Sequence, residues 1–143
     1  MLRSGLYFAG ADRTLAGKTT AEGLNNGVLT ALEAGNLDLR NTELVVLSAC
    51  DTGEGDVQNG EGVFGLRRGL QEAGAQEVLM SLWSVPDRET LELMKRFYAK
   101  WLAGVEVHTA LKEAQLEMRK DVRVSHDGKE LPFYWGAFVL IGR

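Results

Sequence analysis

An α/β fold is predicted by the order of apolar patterns in the sequence. Two mainly apolar runs, Leu44–Leu47 and residues 77–83, lack polar alternation, which is typical of strands buried on both faces of a parallel sheet. Segments whose apolar residues recur at helical spacing lie between these runs and after them. Strands that alternate with helices indicate a sheet covered by helices on both faces, so we expect one layered domain.

The N-terminal part is expected to hold a strand, a loop and a helix. Residues 6–9 are apolar and aromatic and predict the strand, whereas residues 10–27 are rich in Gly, Asn and Thr and have no clear period. Residues 28–34 contain helix formers, and Gly35 is expected to end the helix. A turn over residues 37–41 leads into the first buried strand.

A glycine-rich loop and a helix are predicted between the two buried strands. Residues 51–62 include four glycines and no large apolar side chain before Val57, which indicates an exposed loop. The helix that follows carries its apolar residues on one face, at Val63, Leu66, Leu70 and Ala73, and Gly74 is expected to end it.

Two helices and a final strand are predicted after Pro86. Asp87 is expected to cap the first helix, whose apolar stripe contains Leu91, Met94, Tyr98 and Trp101, widened by Leu93 and Phe97. The apolar face of the second helix consists of Ala110, Leu111, Ala114 and Met118. Residues 122–130 are polar and predict a loop, and residues 133–142 are apolar on both alternating faces and predict an interior strand.

Composition limits the class of protein. A chain of 143 residues, of which 45% are hydrophobic, fits one domain with its own core. The net charge of −4 gives no basic surface for nucleic acid, and no apolar run is long enough to cross a bilayer. A single cysteine cannot form an internal disulfide, which fits a reducing compartment. We therefore expect a cytoplasmic protein that contacts neither nucleic acid nor membrane directly.

Cys50 is the candidate nucleophile. It lies just beyond the first buried strand, at the sheet edge where α/β proteins place ligands and chemistry. A lone cysteine is more commonly a small buried hydrophobe, and a thiol of ordinary pKa needs a nearby base to ionise at neutral pH. His108 is expected near a helix start and His126 in a solvated loop, so neither is a convincing base.

Two other kinds of site are weaker. Gly60-Glu-Gly62-Val-Phe-Gly65 matches a dinucleotide fingerprint, but that motif needs its first glycine directly after a strand. Here ten residues intervene, and the carboxylates of Glu54 and Asp56 would repel phosphate. The two histidines are far apart and one cysteine offers no cluster, so we expect no metal site and no cofactor.

Several segments, taken in this order, are similar to one family. They are Leu44-Val-Val-Leu-Ser-Ala-Cys-Asp-Thr-Gly53, Gly60-Glu-Gly-Val-Phe-Gly-Leu66, Val78-Leu-Met-Ser-Leu-Trp-Ser-Val-Pro-Asp87 and Pro132-Phe-Tyr-Trp-Gly-Ala-Phe-Val-Leu-Ile-Gly142. Together they resemble the CHAT domain, a caspase-like peptidase module of bacterial proteins associated with tetratricopeptide repeats. The resemblance covers nearly the whole chain.

The resemblance implies a caspase-like three-layer sandwich with a mostly parallel sheet. It also implies a cysteine endopeptidase with a histidine–cysteine dyad, in which Cys50 matches the nucleophile. The family's histidine precedes the segment that corresponds to Ser4-Gly5-Leu6, so we expect it upstream of residue 1. Residues 1–143 would then be the C-terminal part of a single CHAT domain, without its N-terminal strands and inactive alone.

The resemblance also implies where a substrate binds. Candidates for the wall of the pocket that holds the residue before the scissile bond are Trp83, Ser84, Val85 and Asp87, and Asp51 is a further candidate. Acidic groups there would favour a basic substrate side chain, although Asp87 is also explained as a helix cap.

The expected partners follow from the same resemblance. They are a protein or peptide substrate, the upstream part of the domain and the tetratricopeptide repeats of the parent protein. Absent strands would leave an exposed sheet edge, through which the chain could self-associate. The alternative function is a pseudo-peptidase or protein-interaction scaffold that keeps the caspase-like fold without catalysis.

Overall fold

The structure, a computed structural model, describes residues 5–12, 16–17, 26–47 and 61–142, with side chains from residue 65 onward in the last range. Its elements are, in chain order, β1 (Gly5–Tyr7), β2 (Val28–Thr30), α1 (Ala31–Gly35), β3 (Leu44–Leu47), α2 (Glu61–Glu72), β4 (Glu77–Ser81), α3 (Asp87–Leu102), α4 (Val107–Ser125), a 3₁₀ turn (Pro132–Tyr134) and β5 (Phe138–Gly142). This mixture of helices and strands confirms the α/β class.

The described strands form two sheets. β1 and β2 pair antiparallel, with Leu6 opposite Leu29. In the other sheet β4 lies between β3 and β5. Helix α2 lies between β3 and β4 in the sequence, and α3 and α4 lie between β4 and β5. Helical connections of this kind are the ones that parallel neighbours need. The strand directions and the three-layer caspase-like arrangement stay predictions.

Contacts divide the chain into two compact units. The first unit contains β1, β2, α1 and α2, and the second contains α3, α4 and the 3₁₀ turn. The strands β3, β4 and β5 contribute residues to both units.

In the first unit, the helix predicted over residues 28–34 begins later than expected. Val28–Thr30 is β2, and the helix starts at Ala31. The Glu33 N–H donates to Thr30 Oγ1, and the Thr30 N–H donates to the Glu33 carboxylate. This capping box fixes the helix start. The hydrogen bond from the Thr30 N–H, reinforced by the Thr30 hydroxyl, holds the pKa of Glu33 below its ordinary value.

The same unit is built on a close approach of α1 and α2. Leu66, Leu70 and Ala73 are buried as predicted, while the side chain of Val63 lies outside the described residues. A Cβ atom at Gly69 would lie much closer to the Ala31 carbonyl oxygen than van der Waals contact allows. Glycine therefore permits the two helix backbones to meet.

The second unit has its core between α3 and α4. Leu93 and Phe97 of α3 are at most 1% exposed, and the residues of the predicted face of α4 are at most 5% exposed, at Ala110, Leu111, Ala114 and Met118. Leu91, which the sequence placed in the stripe of α3, is 54% exposed. That prediction was wrong, because the buried stripe is centred on Leu93 and Phe97.

Two boundaries in this unit also differ from the predicted ones. The loop predicted over residues 122–130 begins only after Ser125, because Val122 follows Met118 by one turn and continues the buried face of α4. The final strand begins at Phe138 rather than at residue 133. Pro132 instead opens the 3₁₀ turn, since its fixed φ suits the first residue of a helical turn.

Candidate functional site

Four of the six predicted site residues lie in or directly after the segment that follows β4. Val78, Leu79 and Met80 are at most 2% exposed, so β4 is a rigid base for this segment. Beyond it Trp83 and Val85 are half-buried, whereas Ser84 and Asp87 are exposed. The structure thus brings together a stretch of side chains that is partly open to solvent and anchored on a buried strand.

Two hydrogen bonds tie residues 82–86 to the chain before β5. The Leu82 N–H donates to the Ala137 carbonyl oxygen at 2.8 Å. The Trp83 indole Nε1–H donates to the Phe133 carbonyl oxygen at 3.0 Å. The first bond extends the backbone pairing past the end of β4, and the second fixes the orientation of a large aromatic side chain.

Asp87 is not the cap of α3 that the sequence predicts. It is the first residue of the helix, and the N-cap residue is Pro86, which makes no side-chain hydrogen bond to the helix. The carboxylate of Asp87 is exposed in the first turn, where the helix dipole stabilises negative charge. It therefore stands at the surface as an anionic group at the end of residues 82–86.

The 3₁₀ turn that receives the Trp83 indole is held on several sides. The Gly136 N–H donates to the Pro132 carbonyl oxygen at 2.7 Å, closing the turn. The rings of Tyr134 and His126 lie 4.9 Å apart between centroids. Just beyond the turn, Gln115 Nε2 of α4 donates to the Phe138 carbonyl oxygen at 2.8 Å.

An ion pair supports the chain on either side of this turn. Arg119 Nε donates to Glu130 Oε2 at 2.7 Å, and its guanidinium carbon lies 5.8 Å from the centre of the Trp135 ring. Arginine over an indole face adds a cation–π attraction to the ion pair. Helix α4 therefore anchors the residues before and after Pro132–Tyr134.

Both histidines of the sequence are described, and both lie at the ends of α4. His126 is half-buried, with Nδ1 2.9 Å from Ser125 Oγ and 3.1 Å from the Val122 carbonyl oxygen, so the prediction of a merely solvated side chain was wrong. His108 is exposed in the first turn, as predicted.

The start of α4 is capped by a carboxylate that the sequence analysis missed. Glu106 accepts hydrogen bonds from the backbone N–H groups of His108 and Thr109, at 2.9 and 2.8 Å. The bond from the His108 N–H, followed by that from the Thr109 N–H, lowers the pKa of Glu106. Glu106 directly precedes the helix, which begins at Val107. An acidic residue at a helix start is favourable, so this cap could have been predicted from the sequence.

Cys50 and Asp51 lie outside the described residues, as does the glycine-rich loop as far as residue 60. The strand before them, β3, ends at Leu47, and its four residues are half-buried rather than fully buried as predicted. The glycine fingerprint continues into α2, which begins at Glu61.

The supporting groups around Trp83 were also missed. The acceptors are the main-chain carbonyl oxygens of Phe133 and Ala137, which every residue type possesses, so no sequence pattern marks them.

Among the described residues, no three His, Cys, Asp or Glu side chains are grouped so as to hold a metal ion. Within the same residues, every helix is too short or too polar to span a bilayer.

Comparison with known proteins gives two kinds of match. The family model described as CHAT domain matches residues 1–143. Tetratricopeptide repeat protein 28 of Mus musculus is 36% identical over 116 residues, and the Homo sapiens protein of that name is 36% identical over 115 residues. Each alignment covers 80% of this chain, which spans only 4% of the length of either relative. No solved structure matches.

Proposed function

We propose that this chain, which belongs to the CHAT domain family as its sequence predicts, carries the nucleophile of a cysteine endopeptidase. The CHAT family is caspase-like, which supports a role as a peptidase or as a scaffold. In the proposed reaction the Cys50 thiolate attacks the carbonyl carbon of a peptide bond. The amine departs with a proton from the base, and water then hydrolyses the thioester.

The observation that carries this proposal is the neighbourhood of β3 and β4. They are adjacent in the sheet, and β3 ends three residues before Cys50, while β4 leads directly into residues 82–86. We propose that the two strands are parallel, as in a caspase-like sandwich, so that their carboxyl ends meet at the edge where α/β proteins bind ligands.

The residues proposed to contact substrate are named here the substrate wall: Trp83, Ser84, Val85 and Asp87, together with Asp51. An exposed carboxylate at the start of α3 supports a preference for a basic side chain before the scissile bond. The half-buried ring of Trp83 supports a wall of fixed shape.

The base of the dyad is proposed to come from a segment outside this chain. His126 is engaged with Ser125 and with the end of α4, and His108 is exposed at the start of that helix. Residues 1–143 then act as the C-terminal part of a CHAT domain, and this part alone has no peptidase activity.

The setting of the parent protein is also a proposal. Two relatives are named as tetratricopeptide repeat proteins, which supports such repeats as partners of this domain. We propose a cytoplasmic parent protein with a protein or peptide substrate. Self-association through a sheet edge stays a prediction. The sequence resembles a module of bacterial proteins, whereas these two relatives are mammalian, so a bacterial origin of the parent protein is also only a prediction.

The test is cleavage of fluorescein-labelled denatured casein by the full-length protein. Replacement of Cys50 by Ala should lower the rate by about 10³-fold or more, because the covalent route is lost. Val124→Ala is the control, since the Val124 side chain is 86% exposed on α4. Val124 is also distant in sequence from Cys50 and from residues 83–87. Equal cleavage by wild type and Cys50→Ala would contradict the proposal.

The second candidate, a pseudo-peptidase scaffold, is supported by the names of two relatives. Both are tetratricopeptide repeat proteins, and such repeats form extended binding surfaces for other proteins. A full-length protein that folds, cleaves nothing and still binds its partner proteins would support the scaffold instead.

A further inference from the structure

We propose that Trp83 is a positioning residue, which holds the part of the substrate wall formed by residues 83–87 by donating its indole N–H to the Phe133 carbonyl oxygen. This inference rests on the proposed function, because it concerns how the wall of that site is held. It assigns Trp83 a second role besides contact with substrate, and it assigns the 3₁₀ turn Pro132–Tyr134 a part in specificity.

The geometry singles out this bond from the others nearby. Residues 82–86 have no regular secondary structure, so their position depends on individual contacts. The bond from the Leu82 N–H to the Ala137 carbonyl oxygen is made by the backbone, and any residue except proline could donate it. The bond from Trp83 to Phe133 joins groups 50 positions apart and needs the side chain of Trp83.

The acceptor side of the bond is fixed independently. The 3₁₀ turn is closed by the Gly136 N–H, which donates to the Pro132 carbonyl oxygen, and it packs on α4 through Tyr134 and His126. The Arg119–Glu130 ion pair holds the chain just before it. A rigid acceptor makes the Trp83 indole, and with it the neighbouring residues Ser84 and Val85, rigid as well.

Loss of the Trp83 hydrogen bond should affect substrate binding more than the chemical step. A wall that is held in place binds substrate without paying the entropy of ordering a loop. If the indole N–H is removed while a flat ring remains, the wall should loosen, and substrate binding should weaken. The chemical step at the proposed nucleophile should change little, because no reacting atom is altered.

The test compares Trp83→Phe with a matched control in the full-length protein. The control is Trp135→Phe, because the Trp135 Nε1–H is buried and has no hydrogen-bond partner among the described residues. A phenyl ring at this position keeps an aromatic face for the Arg119 guanidinium. Both variants exchange indole for phenyl, but only the first loses a hydrogen bond. The probe is a positional-scanning library of fluorogenic tetrapeptide coumarin amides, with kcat and KM measured on the best member.

For Trp83→Phe we expect KM to rise about fivefold, because loss of a neutral hydrogen bond of ordinary strength weakens binding by about that factor. The value of kcat should stay within about twofold of wild type. The preference at the residue before the scissile bond should broaden. Hydrogen exchange of residues 82–86 should become faster in Trp83→Phe and stay at the wild-type rate in Trp135→Phe.

Two results separate failure of this inference from failure of the proposed function. If wild type cleaves the library through Cys50, and Trp83→Phe matches Trp135→Phe in KM, preference and exchange, the positioning role is overturned and the peptidase stands. If wild type shows no cleavage that depends on Cys50, the proposed function is overturned, and the role of Trp83 in specificity is overturned with it.

Discussion

Phe97 and Leu91 are two apolar residues of α3 that differ in burial. Phe97 is fully buried, and the centre of its ring lies 5.9 Å from that of the stacked Trp101 ring. Leu91 is 54% exposed. Because α3 packs against α4, the side of α3 that carries Phe97 contributes to the core and the side that carries Leu91 does not.

The exchange of Phe97 for Ala should lower the free energy of unfolding by about 3–5 kcal/mol, because a buried phenyl ring is lost and a cavity remains. The matched variant Leu91→Ala should change it by about 0.5 kcal/mol or less. Urea denaturation followed by circular dichroism measures both. Equal losses for the two variants would show that α3 does not present the face described here.

Whole elements depend on contacts that are distant in sequence. Residues Val28–Thr30 were predicted as helix but form strand β2. Their strand conformation depends on pairing with β1, which the local sequence does not reveal. The crossing of α1 and α2 has a similar cause, since two glycines meet there. Gly69 faces the Ala31 carbonyl oxygen too closely for any side chain, whereas a Cβ atom at Gly35 would have its nearest neighbour at 3.7 Å.

These two glycines therefore make a matched pair. Gly69→Ala should destabilise the protein by about 1–3 kcal/mol, since the helices must move apart to admit a methyl group. Gly35→Ala should be close to neutral, because its methyl group would make ordinary van der Waals contact and alanine suits a helix better than glycine. Thermal unfolding midpoints compare the two. A tolerated Gly69→Ala would contradict the close crossing.

At the scale of the whole molecule, the sequence predicts the α/β class and the order of most elements. Apolar runs identify β3 and β4, and apolar spacing identifies α2, α3 and α4, because these signals are local. The family resemblance is likewise carried by short motifs and is confirmed by the family match. The direction of the central strands depends on the whole sheet and stays a prediction.

The candidate site was predictable only in part, for a physical reason. Trp83, Ser84, Val85 and Asp87 follow a buried strand, and that position can be read from the sequence. Their support cannot be read in this way. The Phe133 carbonyl oxygen and the Gln115 amide are brought into place by tertiary packing of α4 and the 3₁₀ turn.

The most direct measurement locates the reactive sulfur itself. The full-length protein is treated with a pool of peptidyl acyloxymethyl ketones, which alkylate the nucleophile of cysteine peptidases, and the adduct is mapped by mass spectrometry of its peptides. The proposed function predicts one adduct, on Cys50, that forms more slowly when casein competes. An unmodified Cys50, or an adduct that ignores the competitor, would contradict it.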